Sequence, residues 1–474
     1  MVLPKLDGAF TLCGMTGDGW AFAVRDAHGI RPGWYWAPFP DGAPASPRAV
    51  AVASERPAIQ AALDCPTDAV RELPPGVALL ASPAGEVRFE RVLEPAEPRP
   101  CVFERIYFSR ANDADIHRER KALGAALAAP LLRAVDFDLD RTFFSYIPNS
   151  AQVAFHGLLE ALWTEGLAEG RPVRFGQVAV KDAKFRTFIA DAAARREIGK
   201  HVYDVTYGLV RPGVDTLVVL DDSIVRGTTM REAILPMLDR LGPKRIVVAS
   251  SAPPIRYPDC YGIDMSTLGE LVAFRALVNL LGDEAEAELR AALETLSHAE
   301  SAENAESESH AESAENAESE SHAESAENAE FLDRARAARA PNLEPANLRT
   351  CERLNPLASL YARFTEEQHA AEIARLLTPT GMRAEVSVVY QTVPALHAAL
   401  VTQGTPSPTA SNGGAAALER ARSAPGTPAK RALDAREARF GDWYFTGDYP
   451  TPGGYRVLRR SLENHLARRA GRSY

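Results

Sequence analysis

Apolar and polar positions along residues 1–97 alternate in short stretches: GAFTLCGMT, WAFAVRD, AVAVASE, GVALLASP and EVRFERV. Gly, Pro, Asp and Asn separate them, which predicts a meander of strands packing one face. The proline-dense EPAEPRP, Glu94 to Pro100, then reads as an extended linker. From Cys101 the period changes. CVFERIYF predicts a strand, Arg118 to Ala129 a helix, and FFSYIPNS a strand running into a loop. VAFHGLLEALW has the three- and four-residue apolar spacing of an amphipathic helix, and RFGQVAV is strand-like. The apolar run DTLVVL is followed by DDSIVRG, the helix TMREAILPMLDRL and the strand KRIVVASSAP. Strands alternating with helices predict an α/β fold with a mainly parallel sheet. Asp215–Leu220, apolar without alternation, suits a central strand buried on both faces.

Two stretches depart from this pattern. The sequence HAESAENAESES repeats from His298, His310 and, incompletely, His322. No repeat unit offers an apolar face, so a solenoid is excluded, and an acidic, disordered, low-complexity insert is expected at 297–335. The spaced histidines do not suggest a metal site, which needs convergent ligands. Residues 402–437, rich in Gly, Pro, Ser and Thr, predict a second flexible insert.

Composition narrows the class. A chain of 474 residues with 46% hydrophobic content suggests two to four domains with real cores. The net charge is −10, but residues 298–330 hold eleven Glu and no Lys or Arg, so the remainder is close to neutral. That balance argues against nucleic-acid binding through bulk electrostatics. No apolar run approaches the roughly 20 residues of a membrane span, and MVLPKLDGAFTL lacks the zones of an export signal. The five cysteines (Cys13, Cys65, Cys101, Cys260, Cys351) are odd in number and form no CxxC pair. Together these features predict a soluble, cytoplasmic protein with free thiols.

The chemistry concentrates in LVVLDDSIVRGTT, Leu217 to Thr229. Carboxylates at the carboxyl end of a parallel strand, followed by a small-residue loop and a helix, mark the ligand crevice of such a sheet. Backbone N–H groups, hydroxyls and a helix N-terminus suit a phosphate. Neither a Walker loop nor a dinucleotide GxGxxG is present. A ligand carrying vicinal hydroxyls beside a phosphate fits best, with the acids on the hydroxyls and the loop on the phosphate.

This stretch resembles the 5-phosphoribosyl-1-diphosphate (PRPP) motif of the type I phosphoribosyltransferases, in the wording of the amidophosphoribosyltransferase family. CVFERIYFSRANDADIHRERKALG (Cys101–Gly124), APPIRYPDCYGIDM (Ala252–Met265) and DWYFTGDYPTPGG (Asp442–Gly454) resemble other segments of that family. LDGAFTLCGMTGDGWAFAVRDAHGIRP (Leu6–Pro32) is similar to the later part of its glutaminase domain. The resemblance implies a type I phosphoribosyltransferase parallel-sheet domain at 98–296. It also implies, at 1–97, a remnant of the β-rich αββα glutaminase domain of the N-terminal-nucleophile class. Residues 336–474 would be a C-terminal segment packing on the transferase.

The same resemblance assigns roles. Asp221 and Asp222 would hold the ribose hydroxyls and help place Mg²⁺, while Ser223, Arg226, Gly227, Thr228 and Thr229 would cradle the phosphate. Ser150, in YIPNSA, matches the serine of the pyrophosphate loop near the metal. KDAKFRTFI resembles the loop that closes over PRPP, with Lys181 and Arg186 as diphosphate contacts. The implied reaction is displacement of pyrophosphate by ammonia, giving 5-phosphoribosylamine, the first step of de novo purine biosynthesis, with a homo-oligomeric enzyme and no nucleic-acid or membrane partner.

Two departures qualify this. The family's glutaminase begins at a nucleophilic cysteine, whereas this sequence begins MVLP, and Cys13 lies within an expected strand as a buried thiol. The arginine-bearing turn and the Asn–Gly oxyanion pair have no counterpart either. Ammonia-dependent activity without glutamine hydrolysis is therefore expected, as of a chain truncated in that domain. Some members carry an iron–sulfur cluster on a CxxC before FTG; Gly441 and Tyr444 stand there, so no cluster is expected. Alternative readings are a non-catalytic PRPP-binding protein, a subunit served by a separate glutaminase, and, more weakly, a transferase acting on a nucleobase.

Overall fold

In a computed structural model the described residues are 2–37, 49–94, 96–164, 167–181, 203–298, 355–401 and 440–470. The acidic repeat from residue 299 onward and the second insert, 402–437, lie outside them.

The amino-terminal part forms two antiparallel sheets instead of one meander. Strands β1 (Thr11–Met15), β2 (Ala21–Arg25), β6 (Val77–Ala81) and β7 (Val87–Arg91) pair in the order β1-β2-β6-β7. Strands β3 (Trp34–Trp36), β4 (Ala51–Ala53) and β5 (Val70–Glu72) form the second sheet, β4-β3-β5. Its first and last strands have three residues each, too few for alternation to show in the sequence. Ala23, Leu73, Val77 and Leu79 make the small core of this part.

The larger part is built on a five-stranded sheet in the order β14-β13-β12-β8-β9, parallel throughout. Its strands are β8 (Thr142–Tyr146), β9 (Arg174–Phe175), β12 (Thr216–Asp221), β13 (Arg245–Ser250) and β14 (Glu385–Tyr390). A two-stranded ribbon, β10 (Ala179–Lys181) with β11 (Tyr203–Val205), stands apart. Successive residues of β12 enter different cores. Leu217 and Val219 pack with Met230, Ile234 and Leu235, whereas Val218 and Leu220 pack with Phe144, Phe155 and Leu158. Burial of both faces explains why the run loses its polar alternation.

Two sequence expectations change here. CVFERIYF is helical: Glu104–Phe108 forms a π-helical turn, with only Cys101 in a β-bridge, to Gly441. Besides Cys101 its buried residues are Val102, Phe103 and Ile106, and the spacing of three and four among these is that of a helix face. The segment 336–474 does more than pack on the preceding part, because its β14 completes the sheet beside β13 in register from Arg245↔Glu385 to Ser250↔Tyr390.

Arginines join the two parts. Arg31 donates to Tyr261 O from Nε (2.9 Å) and Nη2 (2.6 Å), and pairs with Glu104 at 2.7 Å. Arg56 clasps Asp113 at 2.8 and 2.5 Å and Asp115 at 2.7 Å, with its guanidinium over the Trp34 ring. Asp113 also caps the helix Ala114–Ala126 by accepting from Asp115 N and Ile116 N.

Candidate active site

The acid pair stands at the carboxyl end of the central strand. Asp221 is the last residue of β12, and Asp222 begins the turn to the helix that starts at Thr228. Asp222 N donates to Asp221 Oδ1 at 2.9 Å, so the first acid is tied to the backbone of the second. Ser223 Oγ donates to Asp222 Oδ1 at 2.9 Å, and Ser150 Oγ donates to Asp222 Oδ2. Ser150 arrives from the neighbouring strand: β8 pairs with β12, and Ile147 N extends the ladder to Leu220 O at 2.8 Å before the loop turns. The Pro148–Asn149 peptide in that loop is cis.

Burial and the charge of its neighbour push the Asp221 carboxyl well above the usual carboxylate range. Burial raises Asp222 too, against the opposing pull of the Ser150 and Ser223 hydroxyls. Two crowded, desolvated carboxylates of this kind gain most from a hard cation or from hydroxyl donors. Asp221, Asp222 and Ser150 supply oxygen donors only, so the set fits Mg²⁺.

The turn 223–229 is shaped by one glycine. Gly227 has φ +72°, and a Cβ there would stand 2.3 Å from Leu377 Cδ2. Thr228 and Thr229 are exposed at the start of the following helix, where unpaired N–H groups favour an anion. Arg226 is engaged elsewhere: it pairs with Glu270 at 2.7 Å and with Asp264 at 3.3 Å. Its guanidinium is therefore held by acids, which leaves the turn's backbone as the candidate anion cradle. Lys181 ends β10, with the backbone pairing to Tyr203, and Arg186 lies outside the described residues.

Sequence reading overlooked two residues that feel the charge of the acids. Tyr107 of the π-turn is half-exposed, and burial together with the charges of Asp222 and Asp221 raises its hydroxyl. Arg120, on the helix Ala114–Ala126, is only 3% exposed and interacts electrostatically with Asp222. Each is about a hundred residues from the acids in sequence, so local pattern gave no signal for either.

Around Cys101 the residues do not fit an iron–sulfur cluster. A Cβ at Gly441 would lie 2.0 Å from Trp443 Cζ3 and 2.7 Å from Arg99 O. The Tyr444 hydroxyl sits 3.1 Å from Cys101 Sγ, and Phe103 packs on the Tyr444 ring at 5.0 Å. Burial pushes the Cys101 thiol up to about 11, which leaves it protonated. Cys13, in β1 as expected, is exposed rather than buried. Among the described residues no three His, Cys, Asp or Glu side chains gather as a metal cluster, and no helix is long and apolar enough to cross a membrane.

No family model matches the chain. Curated relatives do. The chain is 32% identical over 282 residues to an amidophosphoribosyltransferase of Mycobacterium bovis, which covers 57% of this chain and 47% of that protein. It is 36% identical over 210 residues to the Bacillus subtilis amidophosphoribosyltransferase, covering 43% of this chain and 40% of the relative. It also matches the solved B. subtilis glutamine PRPP amidotransferase complexed with ADP and GMP, at 30% identity and a TM-score of 0.45, over 60% of this chain and 57% of that one. The aligned part thus spans about half the length of the curated relatives.

Proposed function

Starting from the chain's kinship with the amidophosphoribosyltransferases, we propose that its sheet-end site binds PRPP and transfers the phosphoribosyl group to ammonia. The product would be 5-phosphoribosylamine, the entry compound of de novo purine biosynthesis. The observation that carries the reading is the juxtaposition of Ser150, Asp222 and the Ser223–Thr229 turn at the end of β12. Three features of the ligand meet three features of the site. Ribose hydroxyls suit Asp221 and Asp222, the 5′-phosphate suits the turn and the exposed Thr228 and Thr229, and the diphosphate suits the Ser150 loop.

In the reaction the bond between C1 and the diphosphate oxygen breaks as a bond from nitrogen to C1 forms, and a proton leaves the nitrogen. Mg²⁺, held by Asp221, Asp222 and Ser150, would supply charge neutralisation of the diphosphate. The remaining work is positioning. Asp221 and Asp222 orient the ribose and meet the positive charge that develops at C1, while the turn fixes the phosphate end. Lys181 and Arg186 would contact the diphosphate and exclude water.

The two amino-terminal sheets, with residues 1–97, are proposed as part of a glutaminase domain, and the chain as a homo-oligomer. The decisive experiment is PRPP titration with and without Mg²⁺, followed by pyrophosphate release in ammonium chloride. Mg²⁺-dependent binding and ammonia-driven release are expected. Absence of turnover at saturating ammonium chloride would sink the catalytic reading. Turnover restored only by an added glutaminase would favour a subunit, and turnover with a nucleobase alone would favour a different acceptor. Light scattering reads the oligomeric state, and a monomer would overturn that part.

A further inference from the structure

The helix Ala114–Ala126 is fixed against the carboxyl end of the sheet. Gln391, directly after β14, donates from Nε2 to Leu123 O at 3.0 Å. Gly124 approaches the helix Gln152–Thr164 so closely that a Cβ would sit 1.6 Å from Ala154 O, and Gly157 makes the reciprocal approach to Lys121 O at 1.9 Å. That second helix begins two residues after Ser150. The two helices are therefore packed backbone to backbone, with no side chain between them, and the second is joined to the acid site through Ser150.

Arg120 lies in this fixed frame. Its Nε donates to Arg105 O at 2.9 Å and its Nη2 to Ser109 O at 2.7 Å. Among the described residues no carboxylate reaches it at ion-pair distance. The adjacent Glu119 is taken in a fork by Arg105. A buried guanidinium remains charged and is ordinarily matched by an anion. Of the carboxylates whose charge reaches Arg120, Asp222 stands first, and Arg120 is the cation that acts on Asp222. The π-turn that carries Tyr107 supplies one carbonyl and Ser109, which caps its end, supplies the other, so the turn and its cap aim the arginine instead of merely covering it.

We propose that Arg120 is a positioning residue of the site: a fixed positive charge that weakens binding of a bare divalent cation at Asp221 and Asp222 and strengthens binding of the anionic phosphoribosyl donor. Its second half rests on the donor reading above. The charge disfavours metal loading of the empty acid pair and favours arrival of metal and diphosphate together, whose combined charge is negative.

The opposite signs make the test. Arg120→Met removes the charge while keeping an unbranched stem, and Arg120→Lys keeps the charge. Mn²⁺ binding without donor is followed by electron paramagnetic resonance, and PRPP affinity is measured at saturating Mg²⁺. Arg120→Met is expected to bind Mn²⁺ about fivefold tighter and PRPP about fivefold weaker, the scale of a unit charge acting in a partly hydrated site. Arg120→Lys should return both values towards wild type. Weakening of both ligands together, or no change in either, would overturn the proposal, since lost scaffolding has no reason to tighten the metal. A wild-type chain that takes no PRPP overturns the donor reading instead, and the Mn²⁺ comparison still decides the fixed charge.

Discussion

Gly227→Ala tests the anion cradle most directly, because two separable costs are visible in the structure. The first is conformational: at φ +72° an L-residue pays about 1–2 kcal/mol for the left-handed region. The second is steric, since the new methyl would stand 2.3 Å from Leu377 Cδ2. Leu377 is 1% exposed in a closed core with Ile373 and Val272, and displacing it costs about 1–3 kcal/mol. Together these give about 2–5 kcal/mol of lost stability. Leu377→Ala creates a cavity at a cost of about 2–5 kcal/mol, but it removes the obstacle. In that background Gly227→Ala should cost only the backbone strain. A double-mutant cycle by urea unfolding should therefore show a coupling of about 1–3 kcal/mol. PRPP titration of Gly227→Ala should show at least about a tenfold loss of affinity, as expected if some 1.4 kcal/mol of strain falls on the cradle. Additive costs would mean that Leu377 is not the obstacle, and a fully stable Gly227→Ala would refute the left-handed turn itself.

Three further outcomes follow from the ionic groups. Asp221 has its carboxyl raised in the fold, so its ionised form costs stability at neutral pH and the ligand-free chain gains stability as pH falls through the raised value. Asp221→Asn should then raise the thermal midpoint at pH 8 while abolishing PRPP turnover, and a lowered midpoint would contradict the argument. Asp215, fully buried at the start of β12's hydrogen-bonded ladder, is held down to about 2 against burial by hydrogen bonds from Arg174 and Arg211. A depressed carboxylate contributes stability that is complete above its ordinary value and lost as pH falls towards 2. Asp215→Asn should accordingly be less stable at pH 7 and should lack the wild type's loss between pH 4 and 2, read by circular dichroism. Arg56→Ala leaves the buried Asp113 without its partner and should cost about 3 kcal/mol in urea unfolding. Arg56→Lys should recover little of that, because an ammonium cannot reproduce the fork to Asp113 and Asp115.

Much of the site was legible because it is local. LVVLDDSIVRGTT spells a buried strand, two acids, a small-residue turn and a helix start within thirteen consecutive residues, and each feature acts on its neighbours. The strands around it were equally readable wherever they were long and apolar, as in Thr216–Asp221 and Arg245–Ser250. Legibility failed where an element is short or where its period is ambiguous. Trp34–Trp36 and Val70–Glu72 are too short to show alternation, and Cys101–Phe108 has apolar spacing that reads as strand until its buried face is known.

What the sequence by itself determined is the central strand, the acid pair at its end and the turn that follows it, because hydrophobic period and turn chemistry are written within a few residues. The tertiary structure decided the rest. It brought Ser150 onto Asp222 across 72 positions, drew β14 from beyond the acidic repeat to close the sheet, turned Arg226 to Glu270, and held Arg120 on two carbonyls within reach of the charge of Asp222. Those contacts depend on which backbones can approach one another, and here that was settled by packing: glycines 124 and 157 let two helices touch, and burial of both faces of the sheet confined exposed side chains to its ends, where the acid pair stands.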